Sequence, residues 1–382
     1  MSHINKKNCV IVTCFDQNQP GFLDFSYRIK TLAEHYNLTL VSTFPLTQAE
    51  LQFSNVNYVV INARNGRLGW LSYLLRCASL IRKNKPALSV LLHSMAAPVA
   101  MFIGRIPAIT YWNEHPSRVI PQEKGVSFLK TRSRAFVKWL IFQGARRSSL
   151  VMPIGEAHRD DLLVHGCKIE NMKMIYMGVQ QSFSEVALKG TDRTKDAPLR
   201  MLYVGSVQKD RGRDLMLDAM AIVNQEKYIA HLTIVGANEE QLKYCVDKVK
   251  ELGLEASVTL IGRVPGNLIP SYMEKVDAGL CLWEDLPWYS FNPPTKLFEY
   301  LVAGLPVLAS NIRTHTQYIE DGKNGLIFEY ESTALAQAVQ RLWDERNELQ
   351  NMKQYAFESS TPYLWQSIEP CFIDAIQEHE KC

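Results

Sequence analysis

Ten short apolar runs, with longer stretches of helical spacing between them, constrain this chain more than any other feature. CVIVTCF, LTLVST, NYVVINA, ALSVLLHS and PAITYW come first; LRMLYVG, AHLTIVG, SVTLIG, DAGLCL and LPVLAS follow. Their residues are apolar in succession rather than in alternation, so each strand must be covered on both faces. Strands of that kind, alternating with helices, build parallel sheets flanked by helices. A chain of 382 residues, 47% of them hydrophobic, exceeds the roughly 250–300 residues at which a single core stops growing. After Val186, ALKGTDRTKDAP is polar and carries Gly and Pro, as a linker does, and strand–helix alternation resumes beyond it. The expected architecture is α/β, with two doubly wound parallel-sheet domains facing across a cleft: residues 1–185 and 199–360, joined by 186–198. The tail, 361–382, has a helical pattern and is expected to cross back to the N-terminal domain, with Trp365 as packing.

Charge and cysteine usage narrow the class. A net charge of +3 excludes a dedicated nucleic-acid binder, whose footprint is a strongly basic domain. No two of Cys9, Cys14, Cys77, Cys167, Cys245, Cys281, Cys371 and Cys382 stand at Cys-x-x-Cys spacing. They read as reduced thiols of a cytoplasmic protein, with neither a zinc site nor a disulfide framework. The start, MSHINKKNCVIVTCF, lacks the pattern of a cleaved signal, and no run approaches the ~20 apolar residues of a spanning helix.

Doubly wound sheets bind ligands beyond the carboxyl ends of their strands, so the residues that follow each strand are the informative ones. PPTKLFEYLVAGLPVLAS packs a helix start, a polar face, a stop and a strand into one segment. Asn292 or Thr295 is placed to cap the helix, Gly304 to end it, and Pro306 blocks continuation. Leu297 and Leu301, like Phe298 and Val302, pair at four-residue spacing, while Lys296, Glu299, Tyr300 and Ala303 line the other side. A cation and a carboxylate thus share a face near a helix N-terminus, where free amides favour an anion such as phosphate. The bland alternative is a solvated Lys/Glu pair on an ordinary surface helix. Elsewhere, Pro20-Gly21 makes a tight turn after the first strand, and PAITYW runs into Asn113, Glu114 and His115. LRMLYVGSVQKDRGRDLMLDAM brackets Ser206, Lys209, Arg211 and Arg213 between Gly205 and Gly212, a loop suited to a diphosphate or equally to a solvated turn. It is neither a P-loop nor a GxGxxG fingerprint. Gly236 in IVGAN, and Arg263 with Val264 in LIGRVP, end two more strands and are placed to frame a base.

Taken together, YVGSVQKDRG, LIGRVPGNLIPSYMEKVDAGL and PPTKLFEYLVAGLPVLAS with YIEDGKNGLIF resemble the donor half of the retaining GT-B glycosyltransferases, family 4, glycosyl transferases group 1. The resemblance covers most of the chain and is strongest from Leu199 to Phe328. It implies two Rossmann-like domains and transfer from a nucleotide-sugar to a saccharide or lipid-linked hydroxyl acceptor. The donor serves as substrate, with no cofactor and no required metal; the sequence contains no Asp-x-Asp. By the same resemblance Glu299 is the second carboxylate of the Glu-x7-Glu element and holds the ribose. Arg211 takes the place of the lysine that meets the diphosphate. His115 is the histidine that reaches the donor sugar, and Gly21 belongs to the turn facing the transferred group. His115, Arg211 and Lys296 are the expected catalytic residues. Gly21, Gly205, Ser206, Lys209, Arg211, Gly236, Arg263, Val264, Thr295, Lys296 and Glu299 form the expected donor site. Two positions depart from the family: Phe291 replaces the first carboxylate, and Ser206 replaces the arginine after the strand-end glycine. Lys209, Arg213 or Lys296 is then needed to make up the lost cation.

The segment 124–147 carries Lys124, Lys130, Arg132, Arg134, Lys138, Arg146 and Arg147, with no acidic residue, among Phe128, Phe136, Trp139 and Phe142. A second basic and aromatic stretch begins at Arg64. Such a pattern fits an anionic headgroup layer, which predicts peripheral attachment to the cytoplasmic face of the inner membrane, or it is an ordinary helix with its apolar stripe on the core. Assembly of bacterial surface polysaccharide or glycolipid is the expected setting. Competing functions are a non-catalytic binding protein on the same scaffold, suggested by Phe291 and Ser206, and a nucleotide-sugar epimerase or a phosphorylase, for which no acid/base carboxylate constellation or pyridoxal lysine motif stands out.

Overall fold

The computed structural model describes residues 6–15, 17, 22–119, 128–189 and 197–380. It divides into two compact units, Met1–Gly178 with Trp365–Cys382, and Val179–Leu364. The first unit therefore gives way to the second at Gly178–Val179. The described part of the expected linker, 186–189 and 197–198, lies inside the second unit.

In the first unit six parallel strands are ordered β3-β2-β1-β4-β5-β6. They are β1 (Asn8–Thr13), β2 (Asn37–Ser42), β3 (Val56–Val60), β4 (Leu88–Leu92), β5 (Ala108–Trp112) and β6 (Leu150–Pro153). In the second unit β7 (Leu199–Val204), β8 (Ala230–Ala237), β9 (Val258–Gly262), β10 (Ala278–Cys281), β11 (Val307–Ser310) and β12 (Gly325–Phe328) are ordered β12-β11-β10-β7-β8-β9. Both sheets follow the same winding, with the order reversing beside the first strand: between β1 and β4 in one, between β7 and β10 in the other. Strands β6 and β12 were not among the ten apolar runs. Each is a four-residue strand at a sheet edge, too short to register as a run beside its neighbours. Every residue of β4, β5, β10 and β11 is buried, as successive apolar residues require.

The first unit is closed by its last helix, Trp365–His379, whose Ile368, Phe372, Ile373 and Ile376 enter the core with Ile29 and Leu32 of the Phe22–His35 helix. Arg28 organises this contact from a position with no exposed surface. It donates to Asp24 (3.0 and 3.1 Å), to the Tyr111 hydroxyl (2.9 Å) and to the Tyr176 carbonyl (2.9 Å). Its guanidinium also lies 3.9 Å from the ring centroid of Tyr111, 5.0 Å from that of Phe372 and 5.3 Å from that of Trp365. Asp24 in turn accepts from Tyr111 (2.6 Å) and from the Gly178 amide (3.0 Å). One ion pair thus ties the first helix, β5, the end of the first segment and the returning helix. Gly178 must be glycine here, because a Cβ would meet the Trp365 ring at 2.6 Å. Among the described residues no helix is long and apolar enough to cross a membrane.

Removing one member of a buried pair leaves the other charged and unsatisfied, at a cost of roughly 3–5 kcal/mol. Asp24→Ala is therefore expected to lower the urea midpoint by that equivalent; a loss below about 1 kcal/mol would contradict the role given to Arg28.

Candidate functional site

The carboxyl edge of the second sheet is shaped by two glycines. Gly205 follows β7 with φ 124°, Gly236 lies in β8 with φ 114°, and a Cβ on Gly236 would sit 2.7 Å from the Gly205 carbonyl oxygen. Only glycine permits these strand ends to approach so closely. Across the switch point, β10 pairs with β7 only as far as Gly279–Leu202. The Tyr300 hydroxyl takes over there, donating to the Leu202 carbonyl (3.0 Å) and accepting from the Val204 amide (2.9 Å). Its ring lies over Gly279, where a Cβ would meet it at 2.4 Å.

This bolt fixes the helix Thr295–Val302. The helix begins at Thr295, with Pro294 at its N-cap and no side-chain cap, so neither Asn292 nor Thr295 caps it and both prolines precede it. Nor is it a surface helix with a solvated face. Lys296, Leu297, Phe298, Tyr300, Leu301 and Val302 are all buried, and Tyr300 belongs to the core rather than to a polar stripe. Lys296, one turn before Tyr300, shares its face and runs toward the end of β7. Its Nζ stands 3.7 Å from the Tyr203 ring centroid and 3.4 Å from where a Gly205 Cβ would lie. The residue is 8% exposed, and Nζ has no hydrogen-bond partner among the described residues. Burial lowers its pKa to about 7, and burial likewise raises that of Glu299, partly exposed on the same helix, to about 7. The first-turn amides of Thr295 and Lys296 have no intrahelical carbonyl to bond.

Arg211 comes to the same place from the loop after β7. It donates to Ser206 Oγ (2.9 Å) and to the Tyr289 hydroxyl (3.2 Å), which donates on to Asp210 (2.9 Å). Its guanidinium is 5.9 Å from the ring centroids of Trp283 and Tyr289, which stack on each other at 4.3 Å. Among the described residues neither Arg211 nor Lys296 has an ion-pair partner.

The other expected residues divide. Gly205, Ser206, Gly236, Thr295 and Glu299 surround the two cations. Lys209 is exposed and contributes its carbonyl, to Tyr330 (3.0 Å). Arg213 is engaged elsewhere, with Asp214 (2.8 Å) and over the Tyr244 ring (3.6 Å), so it does not replace the lost cation. Arg263, exposed, and Val264 follow β9, two strands from the switch point, with no hydrogen bond to the cation pair. Gly21 and Lys124 lie outside the described residues. In the first unit His115 is 1% exposed. Its Nε2 faces Asp161 (3.0 Å), while Nδ1 contacts Ser117 Oγ and accepts from the Ser117 amide (3.2 Å). Asp161 thus favours the tautomer with the proton on Nε2, and burial lowers the pKa of the ring. Sequence reasoning missed Tyr203, Tyr289, Trp283 and Tyr300, which wall and anchor the site. The Trp-Tyr pair within LWEDLPWYSF was the available signal.

On the basic helix Phe128–Arg147, Phe142 is core, stacked on His165 at 3.7 Å. Phe136 and Trp139 are 56% and 52% exposed and stack on each other at 5.7 Å. Arg67, opening the helix Arg67–Asn84, donates to Ser133, and Leu68 beside it is 85% exposed.

The buried lysine yields a stability prediction. Unfolded, it keeps its proton to about pH 10.5; folded, it releases it near 7. Between these values the unfolded state binds more protons, so stability rises with pH. Lys296→Met is expected to raise the ligand-free Tm at pH 6, by roughly 1–4 kcal/mol equivalent, with a smaller gain at pH 9. A pH-independent change would contradict the assignment.

Residues 189–359 match the family model for glycosyl transferases group 1. The amylovoran biosynthesis glycosyltransferase AmsK of Erwinia amylovora is 27% identical over 205 residues, 51% of this chain and 48% of that protein. The D-inositol 3-phosphate glycosyltransferase of Paenarthrobacter aurescens is 20% identical over 250 residues, 62% of this chain and 59% of that protein. The chain spans about half the length of the curated relatives it matches. Anabaena Alr3699/HepE in complex with UDP superposes with a TM-score of 0.75 at 17% identity, over 97% of this chain and 100% of that one. The fold, two parallel six-stranded sheets with flanking helices, is that of GT-B glycosyltransferase structures. The cation pair and its glycines fall inside the matched span, and that span of the chain belongs to the glycosyl transferases group 1 family.

Proposed function

We propose that this chain is a retaining glycosyltransferase of family 4 that moves a hexosyl-type unit from a nucleotide-sugar to a hydroxyl acceptor in the assembly of bacterial surface polysaccharide or glycolipid. One observation carries the reading. Arg211 and Lys296, cations without carboxylate partners, converge at the switch point of a doubly wound sheet, where such folds bind ligands. The family match over residues 189–359, the name of AmsK and the UDP bound by HepE support it.

As the glycosidic bond loosens, negative charge grows on the departing diphosphate. Cations and helix-start amides fixed in advance stabilise that charge without reorganising. The protein's own cations supply this neutralisation, so transfer in this reading requires no divalent metal and no cofactor beyond the donor. Glu299 accepts from the ribose hydroxyls, and Arg263 and Val264 frame the base. His115 reaches the donor sugar by exchanging its Ser117 contact at Nδ1 for a donor hydroxyl, while Asp161 holds Nε2. In the first unit, exposed Phe136, Trp139 and Leu68 beside Lys130 and Arg132 suit an anionic leaflet that presents a lipid-linked acceptor. Phe291 and Ser206 favour the second reading, a non-catalytic binding protein on this scaffold.

Incubation with a nucleotide-sugar panel is expected to release one nucleoside diphosphate, undiminished by EDTA, and to form a product with the donor's anomeric configuration by NMR. Binding without release would favour the non-catalytic protein; an inverted product would exclude retention. Glu299→Ala is expected to cost roughly 1.5–3 kcal/mol of nucleotide affinity, and unchanged affinity would take the residue out of the site. Flotation should favour liposomes containing anionic lipid, and equal recovery with neutral lipid would remove the membrane surface.

A further inference from the structure

Position 206 has lost the side-chain cation that the family resemblance leads one to expect, and the hydroxyl there is used internally, accepting from Arg211 at 2.9 Å. Arg211 therefore remains in place but unassisted from that loop. Lys209 is exposed and Arg213 is paired with Asp214, so neither supplies a second charge. Lys296 reaches the spot from the opposite side of the switch point. It enters from the helix Thr295–Val302, held by the Tyr300 bolt, and its Nζ ends against Tyr203 and the backbone of Gly205. An amine that is 8% exposed and has no hydrogen-bond partner is costly, and most buried polar groups find one. Its location makes sense of the cost if an anion completes it.

We propose that Lys296 is the second diphosphate-binding cation of this site, replacing from the helix the charge missing at position 206 of the loop. The inference rests on the nucleotide-sugar reading above and adds a consequence that reading does not contain. The groups facing Nζ are Tyr203 on β7, Cys281 on β10, Arg211 from the loop, Glu299 on the same helix and His315 behind β11. Burial and the neighbouring Arg211 charge oppose protonation; Glu299 and Cys281 favour it. Above neutral pH the balance leaves the amine largely uncharged in the empty site. A diphosphate arriving beside it reverses that balance, and a proton passes from buffer to Nζ as the anion binds. Binding is thereby coupled to pH through one lysine.

The test is calorimetry on the full chain at pH 8, titrating UDP, ADP, GDP and inorganic pyrophosphate in two buffers of different ionisation enthalpy. Wild-type protein is expected to take up close to one proton per bound diphosphate, with affinity falling up to about tenfold per pH unit above 7. Lys296→Met should lose the lysine-linked uptake and weaken binding at least tenfold at pH 6.5. Lys296→Arg, always charged, should restore affinity without that uptake, and uptake by the ligand's own phosphate would persist in it as the baseline. Glu299→Gln should keep the uptake, which separates the two titrating groups. Lys296→Met binding as tightly as wild type, with the same uptake, would overturn the proposal. Pyrophosphate binding through Lys296 while no nucleotide binds would keep the anion site and remove the nucleotide reading. No binding by either class would overturn both.

Discussion

The hydroxyl of Tyr300 bridging Leu202 and Val204 is the contact on which the second unit's functional edge depends. Strand β10 leaves β7 at the switch point, and two backbone groups of a central strand would otherwise be orphaned inside the core, each at a cost of about 1–3 kcal/mol. One side chain satisfies both. In doing so it draws the helix Thr295–Val302 flat against the sheet, over the bare Gly279. The position of Lys296, one turn earlier on the same face, follows from that docking. Strand-end glycines then let Gly205 and Gly236 close the floor beneath it.

Topology and chemistry are linked by the same constraint. A doubly wound parallel sheet has one place where its order reverses, and there the flanking connections diverge and leave room. In this unit that place gathers an arginine from one connection and a lysine from the other. Each is held by aromatic groups rather than by carboxylates: Tyr289 on Arg211, Tyr203 beneath Lys296. Aromatic walls lower the local dielectric without neutralising the cations, which leaves the charge for a ligand. The stability lost by burying an unpaired amine is the counterpart of an anion site prepared in advance.

Much of this was legible in the residues, and what was not has identifiable causes. The ten apolar runs located ten of the twelve strands, because strands covered on both faces leave an uninterrupted apolar mark; β6 and β12 are short edge strands that leave little. The helix around Glu299 was visible from its spacing, but its burial was not: periodicity distinguishes faces, and Tyr300 sat on the face read as polar until its hydroxyl was seen bonded to β7. Lys296 was identifiable as a cation near a helix start, whereas its lack of a partner depends on distant residues, Tyr203 and Arg211, that only the fold brings near. Arg213 shows the reverse. Its sequence neighbours suggested a shared cationic loop, and its side chain instead lies over Tyr244. His115 was read as a ligand-facing residue, and the fold supplies it with Asp161, 46 positions away, which no local pattern announces.

The central claim is that a diphosphate binds between Lys296 and Arg211 at the switch point of the second sheet. A crystal structure of the chain with the nucleoside diphosphate it releases tests this most directly. The account predicts phosphate oxygens within hydrogen-bonding distance of both Lys296 Nζ and the Arg211 guanidinium, beside the amides of Thr295 and Lys296. A diphosphate held by Lys209 or Arg213 on the outside of the loop, with Lys296 still unpartnered, would contradict it.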